Sequence, residues 1–219
     1  MARPSRNLDL PLLQAGLQLY PQLGSAGLSV RGVAEHAGVA SGMFHHHFKS
    51  KNALLEQVLQ QFYEDVFAQL SARAHEPGTP LARLGSALGL IARLLREHAA
   101  MLRRLLADLD AGQPVVVDFV RRNLPRHVGL LLGLLDEAER AGQIAPRPPL
   151  TRLSFVMGAV VAPVLVLPRI ESMGVGPADM APLIGPQVLS DAAIDMRIAM
   201  ALQALQQPDA GAPTPENLP

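Results

Sequence analysis

Three consecutive histidines, His45, His46 and His47, stand out as side chains that could do chemistry, and metal binding is the first chemistry they suggest. Neighbours on a helix diverge by about 100°, so three in a row cannot converge on one ion. Their surroundings point elsewhere. Ser29 through Lys51 reads SVRGVAEHAGVASGMFHHHFKSK. Phe44 and Phe48, four apart, share one side of a helix and face inward, so Ser41, Gly42, Met43 and the histidines supply the outward face. Short outward side chains at a helix start let the backbone come close to base edges and phosphates. The expected chemistry is non-covalent: recognition of an anionic, base-bearing partner.

A second short helix must carry that edge. Ser29 is placed to cap it, and Val30, Val33 and Ala34 make its inner face. Ala37 permits close approach, Gly38 suits a left-handed turn, and Val39 plugs the gap between the helices, as a helix-turn-helix requires. His36 reads as a solvated residue. Upstream, Leu10–Leu23 places Leu13, Leu17 and Tyr20 at helical spacing, with Asp9 as cap and Pro21 as the expected end. Downstream the pattern is helical throughout: Lys51–Ala74, Leu81–Arg96, Ala99–Asp110, Val115–Arg140 with a kink at Pro125, and the apolar Leu150–Leu167. A last helix enters at Pro182, Pro186 or Ser190. The fold expected is all-α with about nine helices. A helix-turn-helix domain takes residues 1–50, a helical domain 51–207, and a disordered Pro-rich tail 208–219.

The segment resembles the TetR family of bacterial repressors. The likeness lies in Ser29, Val30–Val33–Ala34, Ala37-Gly38-Val39, Gly42, His46-His47-Phe48 and Ser50-Lys51. It extends upstream to Leu12-Leu13, Ala15, Leu17, Leu19-Tyr20 and Gly24, covering residues 8–60 in detail. The resemblance implies a ligand-responsive homodimer, a repressor released from palindromic double-stranded operator DNA by a small-molecule effector; a cytoplasmic location is the expectation from an N-terminus without a secretory pattern. The residues it places at or near DNA are Arg3, Arg6, Ser29, Val30, Ala40, Ser41, Gly42, Met43, His45, His46, Lys49 and Lys51. Ser29 would hold a phosphate, Lys51 the backbone at the start of the fourth helix, and Arg3 and Arg6 an adjacent groove. Three departures concern the operator: Ala40 replaces a hydroxyl cap, Ser41 a common lysine, and His45 a tyrosine.

Composition narrows the alternatives. Without cysteine, disulfides, thiolate nucleophiles and cysteine zinc sites are excluded. Net charge is zero, but the chain through Lys51 carries five basic residues against two acids, and the remainder fourteen against seventeen. A positive front suits a nucleic-acid backbone. No nucleophile elbow or paired-histidine metal motif supports an enzyme, and no cofactor is implied. The apolar run Leu153–Pro168 falls short of the ~18–20 residues of a membrane span. Two further readings remain open: an interaction protein that kept the fold without specific DNA binding, and a helical enzyme.

In the rear domain, Phe62, His98, Met101, Leu105, Phe119, Arg122, Phe155 and Met157 are candidates to line an effector cavity. The plainer reading is ordinary core for the apolar ones. For His98, Arg103, Arg104, Asp108, Asp118, Arg122 and His127 it is solvated faces or inter-helix pairs. Leu153, Met157, Val160, Val164, Leu189, Ala193, Met196 and Met200 make a candidate dimer face on the last two long helices.

Overall fold

A computed structural model describes residues 9–174, 177 and 179–207; Arg3, Arg6 and the 208–219 tail lie outside the described residues. Among the described residues ten α-helices follow one another: α1 (Asp9–Gly27), α2 (Val30–His36), α3 (Ser41–His47), α4 (Lys51–Ala74), α5 (Pro80–Glu97), α6 (Ala99–Asp110), α7 (Pro114–Arg140), α8 (Pro149–Ser172), α9 (Ala181–Ile184) and α10 (Asp191–Gln206). A π-helical turn, Gly185–Leu189, precedes α10. Among the described residues there is no strand.

Local chemistry places most of these boundaries. Ser29 accepts a hydrogen bond from the Gly32 amide at 3.1 Å, and Ser190 accepts one from Ala193 at 3.2 Å, so α2 and α10 start on hydroxyl caps. Of the three starts considered for the last helix, Ser190 holds, because its side chain meets an amide that the first turn leaves open. Thr79 caps α5 in the same way, donor Ala82 at 3.2 Å. Pro21 does not end α1. The helix runs through it, and the break falls at Gly24, whose φ of +67° is the left-handed region that only glycine enters cheaply. Leu17 is 40% exposed, whereas Leu12, Ala15 and Tyr20 take the buried side. Likewise α7 passes through Pro125, and α8 continues through Pro163 and Pro168 to 24 residues. At that length α8 is apolar enough to cross a bilayer, by length and composition alone. Its buried stripe instead packs into protein, as follows.

Contacts divide the chain into two compact units. The first holds the described residues up to Gln69 together with Glu97–His127; the second holds Leu70–Arg96 and the described residues from Val128 onward. Each has its own core. In the first, Leu12, Tyr20, Phe44, Leu54, Leu55 and Leu59 are buried and pack with Met101 and Phe119. In the second, Leu84, Leu88, Leu131, Leu135, Val156, Val160 and Ile194 form the centre. Each such side chain contributes about 1.5–3 kcal/mol through removal from water. The second unit also buries Arg152, 2% exposed, whose guanidinium reaches Asp136 at 2.8 Å and also Glu139, pinning α8 to the end of α7. A buried cation persists only when paired in this way.

Candidate nucleic-acid interface

The turn between α2 and α3 follows from three backbone hydrogen bonds. Ala37 donates to Val33, Gly38 to Glu35 and Val39 to Ala34, all within 3.1 Å, which satisfies the last carbonyls of α2. The pattern needs a left-handed residue at its centre, and Gly38 supplies φ +67°. α3 then leaves with Phe44 fully buried and Phe48 3% exposed, their rings 5.6 Å apart. Burying those two fixes which residues remain outside. Ser41, Gly42, His45, His46 and Lys49 are exposed, Met43 is half-buried, and Ala40 is exposed with no side-chain cap.

The histidines diverge as helix geometry requires. His45 sits edge-on against Phe44, ring centroids 5.6 Å apart; His47 pairs with Asp9 at the start of α1; His46 stands in the open. His36 hydrogen-bonds Gln18 at 2.8 Å, tying α2 to α1. Ser29 is exposed, and its oxygen is taken by Gly32, which leaves the hydroxyl proton to donate outward. Val30 is half-buried and packs on the core. Lys51 is placed differently from the expectation of a direct phosphate contact. Its ammonium donates to the carbonyls of Ser25 (2.9 Å), Ala26 (3.3 Å) and Leu28 (3.2 Å), closing the end of α1. Its three protons meet three carbonyls.

The candidate effector residues fall into separate places. Phe62, Met101, Leu105 and Phe119 lie in the core of the first unit, with His98 edge-on to Phe62 at 5.0 Å. Arg122 is exposed and pairs with Glu56 at 2.7 Å. Met157 packs on the second core, and Phe155 is 44% exposed. Sequence reasoning did not single out the cluster on α4 and α7. Tyr63 donates to the Asn123 carbonyl at 2.8 Å, and Arg126 lies 4.3 Å over Phe67 while pairing with Glu64 at 2.6 Å. Burial there pushes the Tyr63 phenol above, and the His127 imidazole below, their ordinary ranges. The signal was available as Tyr63-Phe67 and Asn123-His127, each pair at i, i+4 spacing. Open clefts lie on the second unit. One of about 420 Å³ is lined by α5 and α10 residues such as Gly85, Gly89, Arg93 and Leu202. The other, about 250 Å³, has Arg152, Phe155 and Leu205 in its wall.

The candidate dimer face also needs correction. Val160 and Val164 are 0% and 1% exposed and belong to the second unit's own core, and Leu153 and Met157 pack against it. Val160 and Val164 are therefore unavailable to a second chain, while Leu153 and Met157 are half-buried. Leu189 and Ala193 are half-buried. Met196 and Met200 are 66% and 64% exposed, and on α8 the exposed large apolar residues are Leu150, Phe155, Val166 and Ile170. Val160 and Val164 continue the buried stripe of Val156, while Phe155, Val166 and Ile170 lie about a quarter turn or more away.

Comparison with known proteins agrees with this architecture. Residues 12–58 match the family model described as bacterial regulatory proteins, tetR family. The HTH-type transcriptional repressor KstR2 of Mycolicibacterium smegmatis is 27% identical over 151 residues, 66% of this chain and 71% of that protein. The HTH-type transcriptional regulator RutR of Escherichia coli K12 is 28% identical over 138 residues, 63% of this chain and 65% of that one. The crystal structure of the transcriptional regulator FadR from Bacillus subtilis, in complex with stearoyl-CoA, superposes with a TM-score of 0.63 at 16% identity. It covers 90% of this chain and 97% of that one. A short helix held by buried phenylalanines on a glycine turn agrees with the match over residues 12–58: that segment is similar to the N-terminal domain of bacterial regulatory proteins of the tetR family, and the chain as a whole shares the fold of such regulators.

Proposed function

We propose that the protein is a cytoplasmic, homodimeric repressor that reads a palindromic operator with α3 and releases it when a small molecule binds. The observation that carries this reading is the outer edge of α3. Ser41, Gly42, His45 and His46 are exposed together because Phe44 and Phe48 hold the other side inside. Small and imidazole side chains can donate to or accept from base edges in a major groove, which is wide enough for a helix. Lys49 and the Ser29 hydroxyl supply backbone contacts, and Arg3 and Arg6 an arm along the adjacent groove. Phosphate contacts set register; base contacts set sequence.

One recognition helix reads only half a palindrome, so the reading requires two copies, with half-sites about 34–36 Å apart or more. The exposed apolar residues Phe155, Val166 and Ile170 on α8 and Met196 and Met200 on α10 support pairing of these two helices with their counterparts, since exposed apolar side chains gain from being covered. The effector site proposed is the region of Phe62, His98, Met101, Leu105 and Phe119. Its apolar walls favour a ligand with an apolar body. Such a ligand acts only through unequal affinity for two conformers.

Binding to genomic DNA fragments over a range of salt concentrations tests the reading. A repressor gives one or a few fragments bound at least about a thousandfold tighter than bulk DNA, with a steep salt dependence from released counterions. Uniform binding to every fragment would leave an interaction protein as the better account.

A further inference from the structure

Asp108 sits on α6, far in sequence from the DNA-facing edge, yet it reaches the junction that carries that edge. Its carboxylate, 6% exposed, accepts the Ser25 amide at 2.8 Å across 83 residues of sequence. Ser25 follows the break at Gly24, and α6 rests on that glycine's bare backbone. A Cβ at Gly24 would lie 2.9 Å from the Arg104 Cδ and 3.1 Å from an Asp108 oxygen. Arg104 also donates to the Gln22 carbonyl at 3.3 Å. From the opposite side of the same residue, Lys51 of α4 holds the Ser25 carbonyl at 2.9 Å. Tyr20 is fully buried in this junction, its phenol pushed up by burial and then by the Asp108 carboxylate. Ser25 is therefore gripped at its N–H by an anion and at its C=O by a cation. Charge-assisted bonds of this kind are the strong ones.

From Ser25 the chain has little freedom before α2. Leu28 is 3% exposed, and Ser29 is already the cap of the next helix. A shift at Ser25 is passed directly to α2 and so to α3. Base recognition tolerates little of it, since a binding constellation must be held within about 0.5 Å. We propose that Asp108 is a positioning residue for operator recognition: by holding the Ser25 amide it fixes the angle at which α2 and α3 present their outer edge. This rests on the reading that the α3 edge meets DNA. It gives α6 a direct hold on that edge through one carboxylate, without touching the nucleic acid.

The test uses the full-length protein, its selected operator duplex and an unrelated duplex of equal length, with affinity for both measured alongside thermal unfolding and dimer mass. Asp108→Ala should weaken operator binding about tenfold or more while changing binding to the unrelated duplex by less than about threefold, because bulk binding needs charge but not alignment. Asp108→Asn keeps an oxygen for the Ser25 amide and should recover most of the preference. Mere loss of stability would lower both affinities in proportion. An operator preference in Asp108→Ala equal to that of the unsubstituted protein overturns the proposal, as does failure of Asp108→Asn to exceed Asp108→Ala. Should Asp108→Ala not fold, Arg104→Ala loses only the Gln22 bond and the packing on Gly24. A roughly threefold drop in preference then supports the proposal, and an unchanged preference overturns it. Absence of any operator preference in the unsubstituted protein sinks the proposed function instead.

Discussion

The outer edge of α3 and the outer faces of α8 and α10 are both exposed, and they are made of opposite materials. On α3 the exposed positions are Ser41, Gly42, His45 and His46, all small or able to hydrogen-bond. On α8 and α10 the exposed positions include Leu150, Phe155, Val166, Ile170, Met196 and Met200, all apolar. The first surface is stable in water and gains from a polar partner that offers hydrogen bonds. The second is costly in water and gains from any apolar cover, with a second copy the self-complementary choice. The contrast also shows how each is set. On α3 two buried phenylalanines decide what faces out. On α8 the apolar residues go all the way round, and only packing decides which stripe is inside.

The largest effect should come from removing what orients the polar edge. Phe44→Ala deletes a fully buried ring and should lower stability by about 3–5 kcal/mol, seen as a lower denaturant midpoint with DNA binding lost. Were the midpoint to stay put, Phe44 would not be the anchor of α3. Next comes a charge on the apolar face. Val166→Glu, at a position 48% exposed, should leave the monomer folded but weaken self-association by at least about thirtyfold, close to 2 kcal/mol. Sedimentation at micromolar concentration reads this directly, and an unchanged dimer moves the interface elsewhere.

Gly38→Ala comes third. No atom lies within 4 Å of its built Cβ, so the penalty is purely that of φ +67°, about 1–2 kcal/mol. Gly38→Asn should recover part of it, because asparagine tolerates the left-handed region better; equal stability of both variants and the parent would mean the turn is not held there. The smallest effect concerns pH. Burial lowers the His127 pKa in the folded state, so below the ordinary histidine value of 6.5 the unfolded chain takes up a proton that the folded one resists. Stability from this residue is fully present above that value and declines as the pH falls through it toward the folded pKa. His127→Gln should flatten the difference between unfolding free energies at pH 7.5 and pH 5. A steeper slope in the variant would contradict the burial argument.

Much of the reading head was legible because its causes are local. The cap at Ser29, the turn at Gly38 and the inward pair Phe44 and Phe48 depend on residues within a few positions of each other. α4 and α6 begin and end where the pattern placed them. Pro21 misled because the penalty of an interior proline is an average, and a helix can carry one; the real stop was three residues later at Gly24. For α8, periodicity could not choose between Val160 and Val166, since every side of that helix is apolar.

What the sequence alone determined is the local grammar: helices throughout, a glycine turn between two short ones, and a polar edge opposite two phenylalanines. Tertiary structure alone decided the assignments that depend on distant partners. Lys51 closes the end of α1, Asp108 holds Ser25 across 83 residues, and Val160 lies inside while Val166 lies outside. The reason is physical. Caps, turns and helix faces are set by energies between near neighbours in sequence, whereas the fate of a charge or an apolar side chain depends on what a remote segment brings against it.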